Sequence, residues 1–187
     1  MAVEDCKLLK GRESMLPRFT DINIRKVIQG MRDGYRVGID YKDGIYLVTN
    51  THVLLQLNGD LAWEIQCAFK LREFGFFYNR ERVGVYERGS KFPEKAMELI
   101  ERAQKAKSVT LTETGLFSNY AKTKCCYLAR PNDYTAIDSR NLDMFAINTL
   151  EQDESSKETS ILVNGKHVVA PIRIYNEGAV SWLKVVS

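Results

Sequence analysis

An α+β fold, with antiparallel sheets and helices packed on one face, is predicted by three features of the sequence. Two tight-turn dipeptides, Asp43-Gly44 and Asn164-Gly165, each separate runs rich in β-branched and aliphatic residues, which is the pattern of a two-residue hairpin. Amphipathic segments with apolar residues three and four apart lie between the hairpins rather than alternating with single strands. No GxxxxGK or GxGxxG phosphate loop and no long-range repeat is present, so the order of elements favours sheets built from hairpins over a doubly wound parallel sheet. With 187 residues, 44% of them hydrophobic, the chain can bury a full core. It is expected as an N-terminal arm, residues 1–19, followed by one domain over 20–187, or by two lobes over 20–130 and 131–187.

The elements follow in order. Residues 1–19 show no periodicity. Thr20 or Asp21 is expected to cap a helix whose apolar line is Ile24, Val27, Ile28 and Met31, ended by Gly34. Tyr35–Tyr41 and Ile45–Leu57 give the first strand pair. Asp60 is the expected cap of a second helix from Leu61 to about Glu73, apolar on most sides and therefore buried or docked on a partner. Phe74–Tyr78 and Val83–Tyr86 read as strands. Phe92-Pro93 opens the clearest helix, with Met97, Ile100 and Ala103 inward. Ser108–Thr112 is a strand, Gly115–Lys122 a turn region, Lys124–Ala129 and Tyr134–Ile137 two further strands. Asp138 or Ser139 caps a helix through Leu142, Phe145 and Ile147. The polar run Glu151–Ser160 is expected as a flexible loop. Ile161–Val163, His167–Tyr175 and Ala179–Val186 close the chain as strands, with Pro171 at an edge or bulge.

Composition narrows the function classes. The net charge is +3, with the cationic excess in the first 107 residues, so a phosphate-facing surface is permitted but not required. Cys6, Cys67, Cys125 and Cys126 have no CxxC spacing, and adjacent cysteines in a strand face opposite ways. They are expected as free thiols in a reducing, cytoplasmic setting. No long apolar run suggests a membrane span. With two histidines, His52 and His167, and no GxSxG or reactive-cysteine context, a catalytic role is not expected. Carboxylates such as Asp40, Glu64 and Glu87 would have to assemble from distant positions to make a metal nuclease. No cofactor is expected.

Three stretches resemble the bacterial-type DNA polymerase processivity (sliding) clamp. Ile45–Leu55 is similar to the clamp strand bearing a Thr-Asp-Gly-His-Arg-Leu pattern: Thr49, His52 and Leu54 keep its residue types, while Asn50, Thr51 and Val53 depart from it. Lys91–Ile100, leading to Val109–Leu111, resembles the clamp's Pro-x-Lys helix and following strand. Ile137–Phe145 and His167–Ile174 resemble its last helix and its closing Val-Val-Met-Pro-Met-Arg-Leu strand. The resemblance covers about half of the chain.

It implies two surfaces. Cationic helix residues, here Arg25, Lys26, Arg32, Lys95, Arg102 and Lys105, would meet duplex DNA phosphates weakly and without sequence preference. A groove for short partner peptides would be bounded by Thr49, Thr51, His52, Val53 and Leu54 on one strand and by Val168, Ala170 and Ile172 on the other. A chain of this size could encircle DNA only as a homo-oligomer. The expected function is therefore a non-enzymatic, replication-associated binding protein. The alternative is a phage or mobile-element protein that binds and antagonises a host protein through an aromatic surface at Trp63, Phe69, Phe76, Phe77 and Tyr78. A metal-dependent nuclease comes third.

Overall fold

A computed structural model describes residues 21–33, 36–71, 74–80, 83–87, 91–120 and 122–174, with the backbone alone for 36, 76–80 and 83–87. The expected arm 1–19, Cys6 and the expected strand Ala179–Val186 lie outside the described residues. Four helices are described: α1 Ile24–Asp33, α2 Gly59–Phe69, α3 Phe92–Lys105 and α4 Ser139–Leu142. The strands are β1 Arg36–Lys42, β2 Ile45–Thr49, β3 Val53–Leu57, β4 Gly75–Arg80, β5 Val83–Glu87 and β6 Ser108–Thr110. They continue as β7 Thr112–Tyr120, β8 Thr123–Arg130, β9 Asp133–Asp138, β10 Leu150–Asp153, β11 Ile161–Val163 and β12 His167–Val169.

Nine strands form one sheet in the order β5-β4-β1-β2-β3-β12-β11-β10-β6, and β7-β8-β9 form a second; every pairing between named strands is antiparallel. In the large sheet the β1-β2-β3 meander, with the β4-β5 hairpin added beside β1, joins the β10-β11-β12 meander, with β6 added beside β10, where β3 meets β12; Val168 lies opposite Leu54 and Val169 opposite Val53. Asp43 (φ 51°) and Gly44 (φ 84°) form the predicted two-residue hairpin between Lys42 and Ile45, whereas left-handed Asn164 (φ 53°) and Gly165 (φ 71°) turn the chain together with Lys166 in a three-residue loop that sets Val163 opposite His167.

Helices cover both faces of the large sheet, not one. Val48, Leu55, Ile161, Val163 and Val169 pack with Val27 and Met31 of α1, with Leu61 and Ile65 of α2, and with Cys126, Leu128 and Ile137 of the small sheet. The alternate residues Leu47, Leu54, Leu162 and Val168 point the other way, onto Ala96 and Ile100 of α3. A strand buried on both faces has no polar side to show, which is why Val53-Leu54-Leu55 and Ile161-Leu162-Val163 are unbroken apolar runs. Cys125 and Cys126 do face opposite sides of the small sheet: Cys126 points toward the large sheet, and Cys125 joins Tyr127 and Ala136 on the outer side.

Several boundaries differ from expectation. The cap of α1 is Asn23, whose Oδ1 accepts the Lys26 N–H at 3.3 Å; the helix starts at Ile24, which leaves Asp21 two residues short of the cap, bonded instead to Lys166 and His167. Asn58, not Asp60, caps α2, accepting the Leu61 N–H at 3.0 Å, and left-handed Lys70 ends it. The expected turn 115–122 is mostly strand: Gly115 (φ 71°) lies where the β7–β8 register shifts between Glu113 and Phe117, and β7 runs on to Tyr120. α4 stops at Leu142 rather than reaching Ile147.

The polar run after Leu150 is not a free loop. Glu151–Asp153 belong to β10, pairing with β11 and β6. Gln152 is 1% exposed, and its carboxamide is fully used. Its Oε1 accepts from Thr135 Oγ1 (2.7 Å) and Arg130 Nη1 (3.1 Å), while its Nε2 donates to the carbonyls of Thr159 (2.7 Å) and Lys157 (3.1 Å). One side chain thus ties the large sheet to the small one and pins the turn that follows.

Candidate functional site

A cleft of about 670 Å³ opens where the two sheets meet. One wall is the turn between β2 and β3. Asn50, 6% exposed, accepts the N–H groups of His52 (3.0 Å) and Val53 (2.8 Å) on its Oδ1. Thr49 Oγ1 accepts the Thr51 N–H (2.9 Å) and donates to the Val53 carbonyl (2.7 Å). These bonds hold Thr51 at φ 79°, a costly conformation for a β-branched residue, and leave Thr51 and His52 exposed on the cleft.

The neighbouring wall is the segment after β12. Ala170 N–H donates to the His52 carbonyl at 2.8 Å, then Pro171, which has no N–H, ends the pairing with β3. Ile172 N–H next donates to the Ala136 carbonyl at 2.8 Å, so this stretch crosses from the large sheet to the small one. Pro171 is therefore the crossover point, and the expected strand His167–Tyr175 is shortened to β12.

α1 supplies a third wall, with Lys26, Gln29, Gly30 and Asp33 on one stripe and Val27 and Met31 turned into the core. A Cβ on Gly30 would collide with the Met144 methyl, so glycine lets Met144 pack under the helix. α4 and its flanks close the cleft with Asp138, Arg140, Asn141 and Asp143, and the β7–β8 end adds Tyr120 and Thr123. Asp138 caps α4 at the Arg140 N–H (3.0 Å) and grips the Arg140 guanidinium (2.7 Å), which raises the Arg140 pKa by hydrogen bonding and then by charge. The charged lining is Lys26 and Arg140 against Asp33, Asp138 and Asp143.

Of the eight residues expected to bound a peptide groove, Thr51, His52, Ala170 and Ile172 line this cleft. Thr49, Val53, Leu54 and Val168 do not. Val53 packs in the core between the sheets, Leu54 and Val168 pair across the strands beneath α3, and Thr49 is spent on the turn. The sequence could not distinguish them because alternate residues here are buried on both faces.

The six cations expected to face DNA do not share a surface. Arg25, Lys26 and Arg32 are exposed on α1, on the side of the small sheet, whereas Lys95, Arg102 and Lys105 are exposed on α3, across the large sheet. On α3 they alternate with exposed Glu94, Glu98 and Glu101, and Lys105 bonds Glu101 at 3.0 Å. Of the expected aromatic surface, Trp63 is 39% exposed and Phe69 packs partly against the core, while the side chains of Phe76, Phe77 and Tyr78 lie outside the described ones.

His52 and His167 sit at opposite ends of the β3–β12 pairing. His167 is wholly buried; its Nδ1 accepts the Gln56 N–H (3.2 Å), so Nε2 carries the proton and donates to Asp21 (3.0 Å). Burial lowers its pKa, outweighing the Asp21 carboxylate. Asp21 is shifted down: burial pushes the other way but is overcome by bonds from Lys166 (2.8 Å) and His167. Both ring nitrogens are engaged, so this pair fastens the segment before α1 to β12 and offers no free base. Burial raises the thiol pKa of Cys125 and of Cys126. Among the described residues no group of three or more His, Cys, Asp or Glu side chains could hold a metal ion, and no helix is long and apolar enough to cross a membrane.

Fold and cleft together define a mixed α/β chain with antiparallel sheets and four described helices. The chain matches no protein-family model, no curated protein and no solved structure. Sequence reasoning missed Gln29, Asn50, Tyr120, Thr123, Asn141 and Asp143, because they reach the cleft from five separate segments and carry no shared spacing.

Proposed function

We propose that this chain is a non-enzymatic binding protein whose cleft receives a short segment of a partner protein, in the DNA-replication setting suggested by the clamp-like stretches. The observation that carries this is the direct bond between its two walls: the Ala170 N–H on the His52 carbonyl fixes the β2–β3 turn and residues 170–172 as one preformed trough. A trough that is already built costs a partner less ordering on binding. Its size lies in the range of ligand sites, and it mixes apolar surface at Met144, Pro171 and Ile172 with polar groups from four other segments. Duplex DNA is disfavoured as the occupant, because three carboxylates outnumber two cations in the lining and the remaining helix cations are split between faces.

The test is panning of random linear peptides, displayed on phage, against the full chain, followed by fluorescence anisotropy with a selected synthetic peptide. Ala170→Trp fills the trough from a position whose structural bond is made by its backbone. It is expected to abolish binding while leaving the circular dichroism spectrum unchanged. Failure to select any peptide, or equal binding to the Ala170→Trp chain, would refute the proposal.

A further inference from the structure

Nearly buried polar side chains in a folded protein are almost always hydrogen-bonded, and Gln152 obeys the rule at all four of its positions. Two carboxamides in the cleft do not. Asn141, 7% exposed on α4, has no side-chain hydrogen bond among the described residues. Asn50, 6% exposed, uses Oδ1 twice but leaves its NH2 group without an acceptor among them. Gln66 of α2 is also nearly buried without a side-chain partner, but it lies away from the cleft. The coincidence of two such groups on one trough is therefore what needs explaining.

A carboxamide holds a donor and an acceptor side by side in one plane, spaced to meet the C=O and N–H of another amide. The same face could meet an adenine edge, but a nucleotide brings phosphate into a lining of net negative charge. Resting on the proposed function above, we infer that Asn50 and Asn141 are main-chain anchors: they bond peptide units of an extended segment laid along the cleft. Recognition at these two points is indifferent to the partner's side chains. Selectivity then falls to the rim, where exposed Asp143 and Asp33, neither in a salt bridge among the described residues though Asp33 feels the Arg140 charge, favour a segment carrying lysine or arginine.

Two substitutions isolate the claim. Asn50→Asp keeps the oxygen that the turn needs and removes the open NH2 group; because it adds a carboxylate to the lining, its effect is read with a selected peptide whose lysine and arginine residues are replaced by glutamine. Asn141→Leu removes both halves of the other amide and, by deleting an unbonded polar group, should leave the melting temperature unchanged or higher. With a phage-selected peptide as probe, Asn141→Leu is expected to weaken binding at least tenfold and Asn50→Asp severalfold. N-methylation of the peptide, scanned along its main chain, should abolish binding at the one position whose N–H meets the Asn141 Oδ1, since Asn50 has only its NH2 group to offer and meets a peptide carbonyl. If both variants and every N-methylated peptide bind as the parent does while Ala170→Trp does not, the trough is a peptide site but the anchors are not main-chain anchors. If Ala170→Trp binds normally, or no peptide is selected, both claims fall. Competition by an adenine oligonucleotide that requires Asn141 would also overturn the inference, in favour of a base edge.

Discussion

Replacing Gln152 by leucine keeps most of the side-chain volume and removes all four of its hydrogen bonds. The partners are not equally placed to recover. Lys157 is exposed and Thr159 half-buried, so their carbonyls can turn to water. Arg130 keeps its bonds to the carbonyls of Glu154 (2.8 Å) and Asp153 (3.3 Å). Thr135 is 1% exposed and cannot reach solvent, so its hydroxyl is left unpaired between the sheets. Stranding one such group costs about 1–3 kcal/mol, and each of the recoverable bonds contributes about 0.5–1.5 kcal/mol net. Allowing for rehydration, Gln152→Leu should cost about 2–4 kcal/mol in urea unfolding, with amide exchange quickening first in residues 153–160. Gln152→Glu should be worse at neutral pH, since a carboxylate would face the two carbonyls that the NH2 group now serves. A Gln152→Leu chain within 0.5 kcal/mol of the parent would show that the sheets are held by apolar packing alone.

Two further outcomes follow from groups already placed. His167 has a native pKa below the ordinary 6.5, so as pH falls below that value the unfolded chain binds a proton that the native chain refuses, and stability declines. Asp21, shifted below 3.8, adds stability above that value and loses it only as pH falls through its native pKa; urea titrations of the parent and of His167→Gln should therefore diverge between pH 6.5 and 4, the glutamine chain losing less. Thr51→Gly should raise stability by up to about 1 kcal/mol, relief of the φ 79° strain exceeding glycine's greater unfolded freedom; a thermal melt showing destabilisation would mean that the threonine side chain, not the turn, sets that backbone.

The parts legible in the sequence are those whose signal is local. Asp43-Gly44 and Asn164-Gly165 sit in the turns their chemistry demands, and α3 begins at Phe92-Pro93 with its apolar line inward. No local signal in either segment makes β3 and β12 neighbours; their pairing is an expectation only of the clamp resemblance. What stayed hidden is non-local. Glu151-Gln152-Asp153 looks like solvent-facing chain until Arg130 and Thr135 are brought to it from another sheet. Gly115 and Asn119 suggest a turn because an edge strand with a bulge has the composition of one. Asn141 gives no sign in sequence of lying in a cleft, since the walls it shares that cleft with come from α1 and residues 170–172.

The pairing of β3 with β12 also sets the order of events during synthesis. Gln56 must wait for His167, 111 residues later, before its N–H is satisfied. Until then the first meander leaves the ribosome with a raw apolar border at Val53-Leu54-Leu55, open to any passing strand. Such long-separated closure slows folding. Chaperone demand during translation should therefore be concentrated between the emergence of β3 and that of residue 169, and released abruptly when the three residues of β12 arrive.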